Sequence, residues 1–162
     1  HNFKLVLEID STYAPAWLNM ALNEYYLGNV KSSFQCLGQA EINDPTNLLV
    51  YLNRGVIHQE LGKVEFALND YSKAIEVSPF NVRGYRFRGV LNFELGRLDL
   101  AISDFQRWKE LNGKDPMVYR WLARYHSRMK DSQQFLENAS MADRLGGAFP
   151  AHEFSQLLQQ AE

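Results

Sequence analysis

The 162 residues carry a net charge of −2 and a pI near 6.1, so the composition lacks the broad basic surface on which nucleic-acid binding rests. A hydrophobic content of 46% is that of an ordinary folded domain, yet no apolar run approaches the roughly 20 residues that span a bilayer. The one cysteine, Cys36, rules out an internal disulfide framework and a multi-cysteine zinc site, and a lone thiol suits a reducing cytosol without excluding an export route.

Taken in chain order, Phe3, Val6 and Leu7 recur at i, i+3 and i+4 and predict a helix within residues 1–13. Further helices are expected near 15–27, 30–43, 48–60, 64–77, 82–94, 98–111, 116–128 and 132–145. Asn47, Asn81 and Asp115 precede first helices as N-caps, accepting from the unpaired N–H groups of the first turn. Pro116 follows at a first helical position, where its missing donor costs nothing. A last helix is expected from about Pro150, with Phe154, Leu157, Leu158 and Ala161 on one face and Glu153, Gln156, Gln159, Gln160 and Glu162 on the other. Its expected role is to cover the face that the preceding helix pair leaves open.

These elements repeat. Tyr51, Arg54, Gly55, Leu61, Gly62, Ala67, Asp70 and Tyr71 return thirty-four residues later, without a gap, as Tyr85, Arg88, Gly89, Leu95, Gly96, Ala101, Asp104 and Phe105. Four frames, 14–47, 48–81, 82–115 and 116–149, follow from that period. An aromatic opens each first helix (Trp17, Tyr51, Tyr85, Tyr119), and a small residue follows four later (Ala21, Gly55, Gly89, Ala123). Gly28, Gly62 and Gly96 mark the turns, and Lys130 replaces the fourth. Pro45 and Pro79 close the first two frames.

With its helix–turn–helix period and these marks, the chain resembles the tetratricopeptide repeat family. The resemblance implies one all-α domain, a right-handed α-solenoid of four full repeats. Residues 1–13 would be the second helix of a partial repeat belonging to a longer natural protein, and residues 150–162 a capping helix. Two departures bear on packing. Trp108 takes a place that the family usually gives to Ala, and Phe135 and Ala139 exchange the usual small and aromatic places, so one bulky group moves a turn along at nearly constant volume.

Arg54 and Asp70 are sixteen residues apart, as are Arg88 and Asp104, whereas Met20 with Cys36 and Leu122 with Asn138 leave both matching places uncharged in the outer frames. Groups that appear and vanish together on packing faces predict ion pairs, since an unpaired buried charge is expensive. His58 and His126 hold matching places two repeats apart, too far apart to share an ion through bonds of about 2.0–2.1 Å. With no paired cysteines, no HExxH, no GxSxG and no phosphate loop, the reading is of no enzyme, no cofactor and no metal. Cys36 reads as a packing residue.

The resemblance further implies that first helices line a concave groove for a partner segment. Carried over residue by residue, the places are Leu18, Asn19, Leu22 and Tyr25; Leu52, Asn53, Val56, Gln59 and Glu60; Arg83, Arg86, Phe87, Val90 and Phe93; and Arg120, Trp121, Arg124 and Arg128. Asn19 and Asn53 suit a peptide backbone, the apolar places suit side-chain anchors, and the arginines suit carboxylates. Residues 1–82 hold 5 Lys or Arg against 9 Asp or Glu, and residues 83–162 hold 12 against 10, so the basic end is the C-terminal one. A protein or peptide partner with apolar anchors and acidic groups is therefore expected. The family's two-carboxylate clamp for chaperone tails is matched at Asn53, with Arg83 standing in for the third-repeat Lys, but interrupted by Leu18, Leu22 and Phe87. The rival readings are single-stranded nucleic acid on the Arg and aromatic places and self-assembly through the array ends.

Overall fold

The computed structural model describes residues 2–162, apart from the side chains of Asn2 and Lys4. Among these residues there are ten helices and no strand: α1 (Asn2–Ile9), α2 (Ala14–Tyr26), α3 (Val30–Asn43), α4 (Leu48–Glu60), α5 (Val64–Val77), α6 (Val82–Glu94), α7 (Leu98–Leu111), α8 (Pro116–Arg128), α9 (Ser132–Arg144) and α10 (Ala151–Ala161). Each expected boundary of α2–α9 falls within one residue of the observed one; residue 1 of the expected opening helix lies outside the described residues. The chain divides into two compact units, residues 1–79 and 80–162.

Local chemistry explains why the helices begin and stop where they do. Asn47, Asn81 and Asp115 accept from the backbone N–H of Leu49, Arg83 and Met117 at 3.1, 3.0 and 2.9 Å, and Asp131 does the same for Gln134 at 3.0 Å. Each hairpin reverses through one left-handed residue: Gly28, Gly62 and Gly96 at φ 82°, 71° and 74°, and Lys130 at φ 57°. Lys130 therefore keeps the turn geometry that glycine adopts freely, against a steric cost of about 1–2 kcal/mol.

In the first unit, α2 packs on α3 and α4 on α5, with α1 against α2. Leu18, Ala21, Leu37, Ala40, Val50 and Ile57 form one core with Cys36, whose thiol is pushed up by burial and, secondarily, by Glu24. Close helix approach depends on Gly55, where an added Cβ would lie 2.5 Å from the Tyr71 ring. Tyr71 is fully buried, and its hydroxyl donates to Gln59 at 2.8 Å, so the ring has nowhere to go. Overpacking of about 1–3 kcal/mol outweighs the helix propensity of roughly 1 kcal/mol that alanine brings. Gly55→Ala is accordingly expected to lower stability by up to about 2 kcal/mol, read as an earlier urea midpoint. An unmoved midpoint would show slack between α4 and α5.

In the second unit, α6 pairs with α7 and α8 with α9. Gly89 is also closely approached: an added Cβ would lie 2.9 Å from Asp104 and 3.0 Å from Phe105. Phe93, Ala101, Phe105, Trp108, Val118, Tyr119, Leu122 and Ala142 share a core. Beside it Phe135, fully buried, and Ala139 pack with Ala123 and Ala161, so the exchanged large and small groups fill one volume. Phe149, Phe154, Leu157 and Leu158 pack against that cluster while Gln156, Gln159 and Gln160 stay exposed, which makes α10 the cover of α8 and α9. Ser127 fixes it further by donating to the Leu157 carbonyl at 2.6 Å.

Both sequence-paired charges meet. Asp104 takes Arg88 side-on, from Nε at 3.0 Å and Nη2 at 2.8 Å. Asp70 receives Nε and Nη2 of Arg54 on one oxygen, at 2.9 and 2.8 Å, and keeps the other for His58 Nδ1 at 2.8 Å. Arg54 also reaches Glu41 of α3. Burial alone would pull the Arg54 guanidinium down, yet its bonds to Asp70 and Glu41 hold it above its ordinary value.

Candidate functional site

The first helices of the first unit, α2 and α4, adjoin. Asn19 is exposed, and Leu22, Tyr25, Asn53, Val56 and Gln59 are half-buried. Tyr25 donates its hydroxyl to Glu60, which ties the C-terminal ends of the two helices together and raises the phenol above its usual value. Two expected anchor sites need correction. Leu18 and Leu52 are 6% and 2% exposed, because the same helical stripe that would meet a ligand turns inward at these positions. They form part of the packing and present no surface.

In the second unit, Arg83 and Arg86 of α6 are exposed, and Phe87 and Val90 are half-buried. The Arg86 guanidinium lies 5.8 Å from the Phe87 ring and 5.7 Å from that of Trp108. Neither Arg83 nor Arg86 has a carboxylate partner among the described residues. On α8 the arginines are engaged. Arg120 donates to Glu153 of α10 at 3.2 Å, and Arg124 donates to the other oxygen of the same carboxylate. Both guanidiniums also lie over the Phe149 ring, at 4.8 and 5.4 Å. Arg128 donates to the Phe93 carbonyl at 2.9 Å and covers its ring at 4.6 Å, closing the C-terminal end of α6.

Trp121 meets Phe93 edge-on at 5.6 Å and stacks on Phe105 at 5.9 Å, which makes it largely a packing residue. Of the expected places, then, α6 offers free cations, whereas α8 offers cations already held by the chain's own acid. Glu153 and Phe149 belong to this site although sequence reasoning did not place them there. Glu153 was legible as a polar-face residue, but nothing in its spacing to Arg120 and Arg124, 33 and 29 residues away, repeats elsewhere in the chain.

His58 and His126 are held within the helix packing. His58 bonds Asp70 and stacks on Phe34 at 4.8 Å. His126 lies 3.6 Å from Asp131; burial pushes its imidazole down, with Asp131 opposing.

Residues 49–81 match the tetratricopeptide repeat family. No curated protein matches the chain in sequence. Among solved structures, a crystal structure of MamA is similar at 15% identity, covering 89% of this chain and 84% of that one with a TM-score of 0.77. The MamA of AMB-1 is similar at 22% identity over 93% and 82% of the two chains, with a TM-score of 0.71. A structure of PilF from Pseudomonas aeruginosa is similar at 19% identity over 96% and 70%, with a TM-score of 0.81. At these identities the likeness shows the fold, an all-α solenoid built from helix-pair repeats.

Proposed function

We propose, from the match of residues 49–81 to the tetratricopeptide repeat family, that the chain is a non-enzymatic scaffold whose first-helix faces bind a segment of a partner protein. In the second unit, Arg83 and Arg86 receive carboxylates while Phe87 and Val90 receive an apolar side chain. In the first unit, Asn19 and Asn53 hold peptide backbone, with Leu22 and Val56 beside them. The observation that carries this reading is the pair of exposed, acid-free arginines on α6, with Arg86 set over two rings. An exposed guanidinium prepared in this way is a ready donor to a planar carboxylate.

Arg83→Glu/Arg86→Glu is the test. Partner proteins retained by the wild type and identified by mass spectrometry should fall at least about tenfold in recovery, since reversing charge at a carboxylate contact costs 2 kcal/mol or more. Far-UV circular dichroism should stay unchanged. Undiminished recovery would remove the acidic-partner reading. A single-stranded oligonucleotide serves as the control: retention that weakens steeply with salt would favour a nucleic-acid ligand in its place.

A further inference from the structure

We infer that Arg120 and Arg124 form a second carboxylate site, closed in this chain by its own Phe149 and Glu153, and that a partner segment carrying an acid with an aromatic residue beside it takes their place. This deepens the reading above and rests on its premise that first-helix faces receive partner segments. The chain itself displays the chemistry that the site accepts. One carboxylate bridges both guanidiniums, and one aromatic ring lies under both.

The grip is incomplete in a way that points to a better ligand. Arg120 reaches Glu153 through Nη2, while its Nε is buried and has no hydrogen-bond partner among the described residues. A guanidinium met side-on uses Nε and Nη2 together, as Arg88 does with Asp104. Glu153 must span two arginines with one carboxylate, so it leaves that donor unused. A partner acid free to face Arg120 squarely would satisfy it.

Release of the occupant need not undo α10. Glu153 lies in the first turn of the helix, and its side chain and those of Arg120 and Arg124 are 24%, 21% and 23% exposed. These pairs are only partly buried, so breaking them costs less than breaking a fully buried pair. The later part of α10 has separate anchors, with Leu157, Leu158 and Ala161 against Phe135 and Ala139 and with the Ser127 bond to the Leu157 carbonyl. Ahead of the helix, residues 146–150 are non-helical and begin at Gly146, with φ 81°. The Glu153 side chain and the segment carrying Phe149 can therefore give way while Phe154, whose ring centroid lies 5.3 Å from that of Phe135, and the later part of α10 stay in place.

The probe is a fluorescein-labelled decapeptide with the sequence of residues 147–156, titrated against the full chain by polarisation. In the wild type the tethered copy competes at high effective concentration and binding is weak. Phe149→Ala/Glu153→Gln is expected to bind the peptide at least about tenfold more tightly, and a peptide with Gln for its Glu should show no such gain. Adding Arg120→Gln/Arg124→Gln should return binding to the wild-type level. Glu153→Gln alone, which leaves the apolar packing intact, should show a smaller gain in the same direction and serves if the double variant melts early. A folded variant with no gain, or a gain that survives loss of both arginines, overturns the inference. Arg83 and Arg86 are untouched in these proteins, so a negative result here leaves the α6 reading standing, and an undiminished partner recovery in the Arg83→Glu/Arg86→Glu test strikes that reading alone.

Discussion

Trp108→Ala is expected to destabilise the second unit by about 3–5 kcal/mol, the range for truncating a fully buried large aromatic. Trp108 has no exposed surface, lies edge-on to Phe105 with centroids 6.5 Å apart, and shares the core of α6, α7 and α8. Its indole N–H donates to Asp115 Oδ2 at 3.1 Å, while the other oxygen of Asp115 caps α8 at the Met117 N–H. The ring therefore both fills volume and holds the cap residue of the next helix. Loss of the ring opens a cavity and frees one face of that carboxylate. Trp108→Phe keeps most of the volume and should cost less than Trp108→Ala, about 1.5–3 kcal/mol, the worth of the hydrogen bond to a charged acceptor. Urea unfolding followed by circular dichroism separates the two variants. A loss below about 1 kcal/mol for Trp108→Ala would mean that the neighbours collapse into the space.

That position also shows what the sequence could and could not disclose. The thirty-four-residue period fixes the register of α2–α9, because every frame repeats its aromatic, small and turn residues. Register in turn made Trp108 visible as a large group in a small group's place, and made Arg54 with Asp70 and Arg88 with Asp104 visible as pairs. Contacts that do not recur from frame to frame left no such mark. Glu41 reaches Arg54, yet the matching places further on hold Ile75 and Lys109, so no pattern announces it. Glu153 reaches Arg120 and Arg124 from a helix outside the period. Leu18 and Leu52 fall on ligand-facing places because the repeat fixes which helix leads, while their burial depends on how far each helix rotates against its neighbours. Periodicity gives which elements pair; the depth of each side chain comes from packing.

Asp70→Ala is expected to cost the first unit about 3–5 kcal/mol, the penalty for stranding one partner of a buried ion pair. Asp70 is 2% exposed and accepts two bonds from Arg54 and one contact from His58, so its removal leaves two polar groups facing an apolar wall. Glu41 still meets Arg54 from α3, so the stranding falls most fully on His58, whose acid is Asp70. Asp104→Ala should cost less, since Arg88 has more access to water, with 28% of its side chain exposed against 19% for Arg54. The chain itself supplies the decisive control. In the first repeat the same two places are Met20 and Cys36, and Cys36 is buried within an apolar core. Replacing both partners by apolar groups of like volume is often close to neutral, so Arg54→Met/Asp70→Cys should recover the part of the Asp70→Ala loss that comes from Arg54, while His58 stays without its acid. A double-mutant cycle reads the coupling directly. If Asp70→Ala proved as mild as an exposed pair, below about 1 kcal/mol, the pair would be an ornament of the surface; if the apolar double variant stayed as unstable as the single one, the charges would be required for more than cancelling each other.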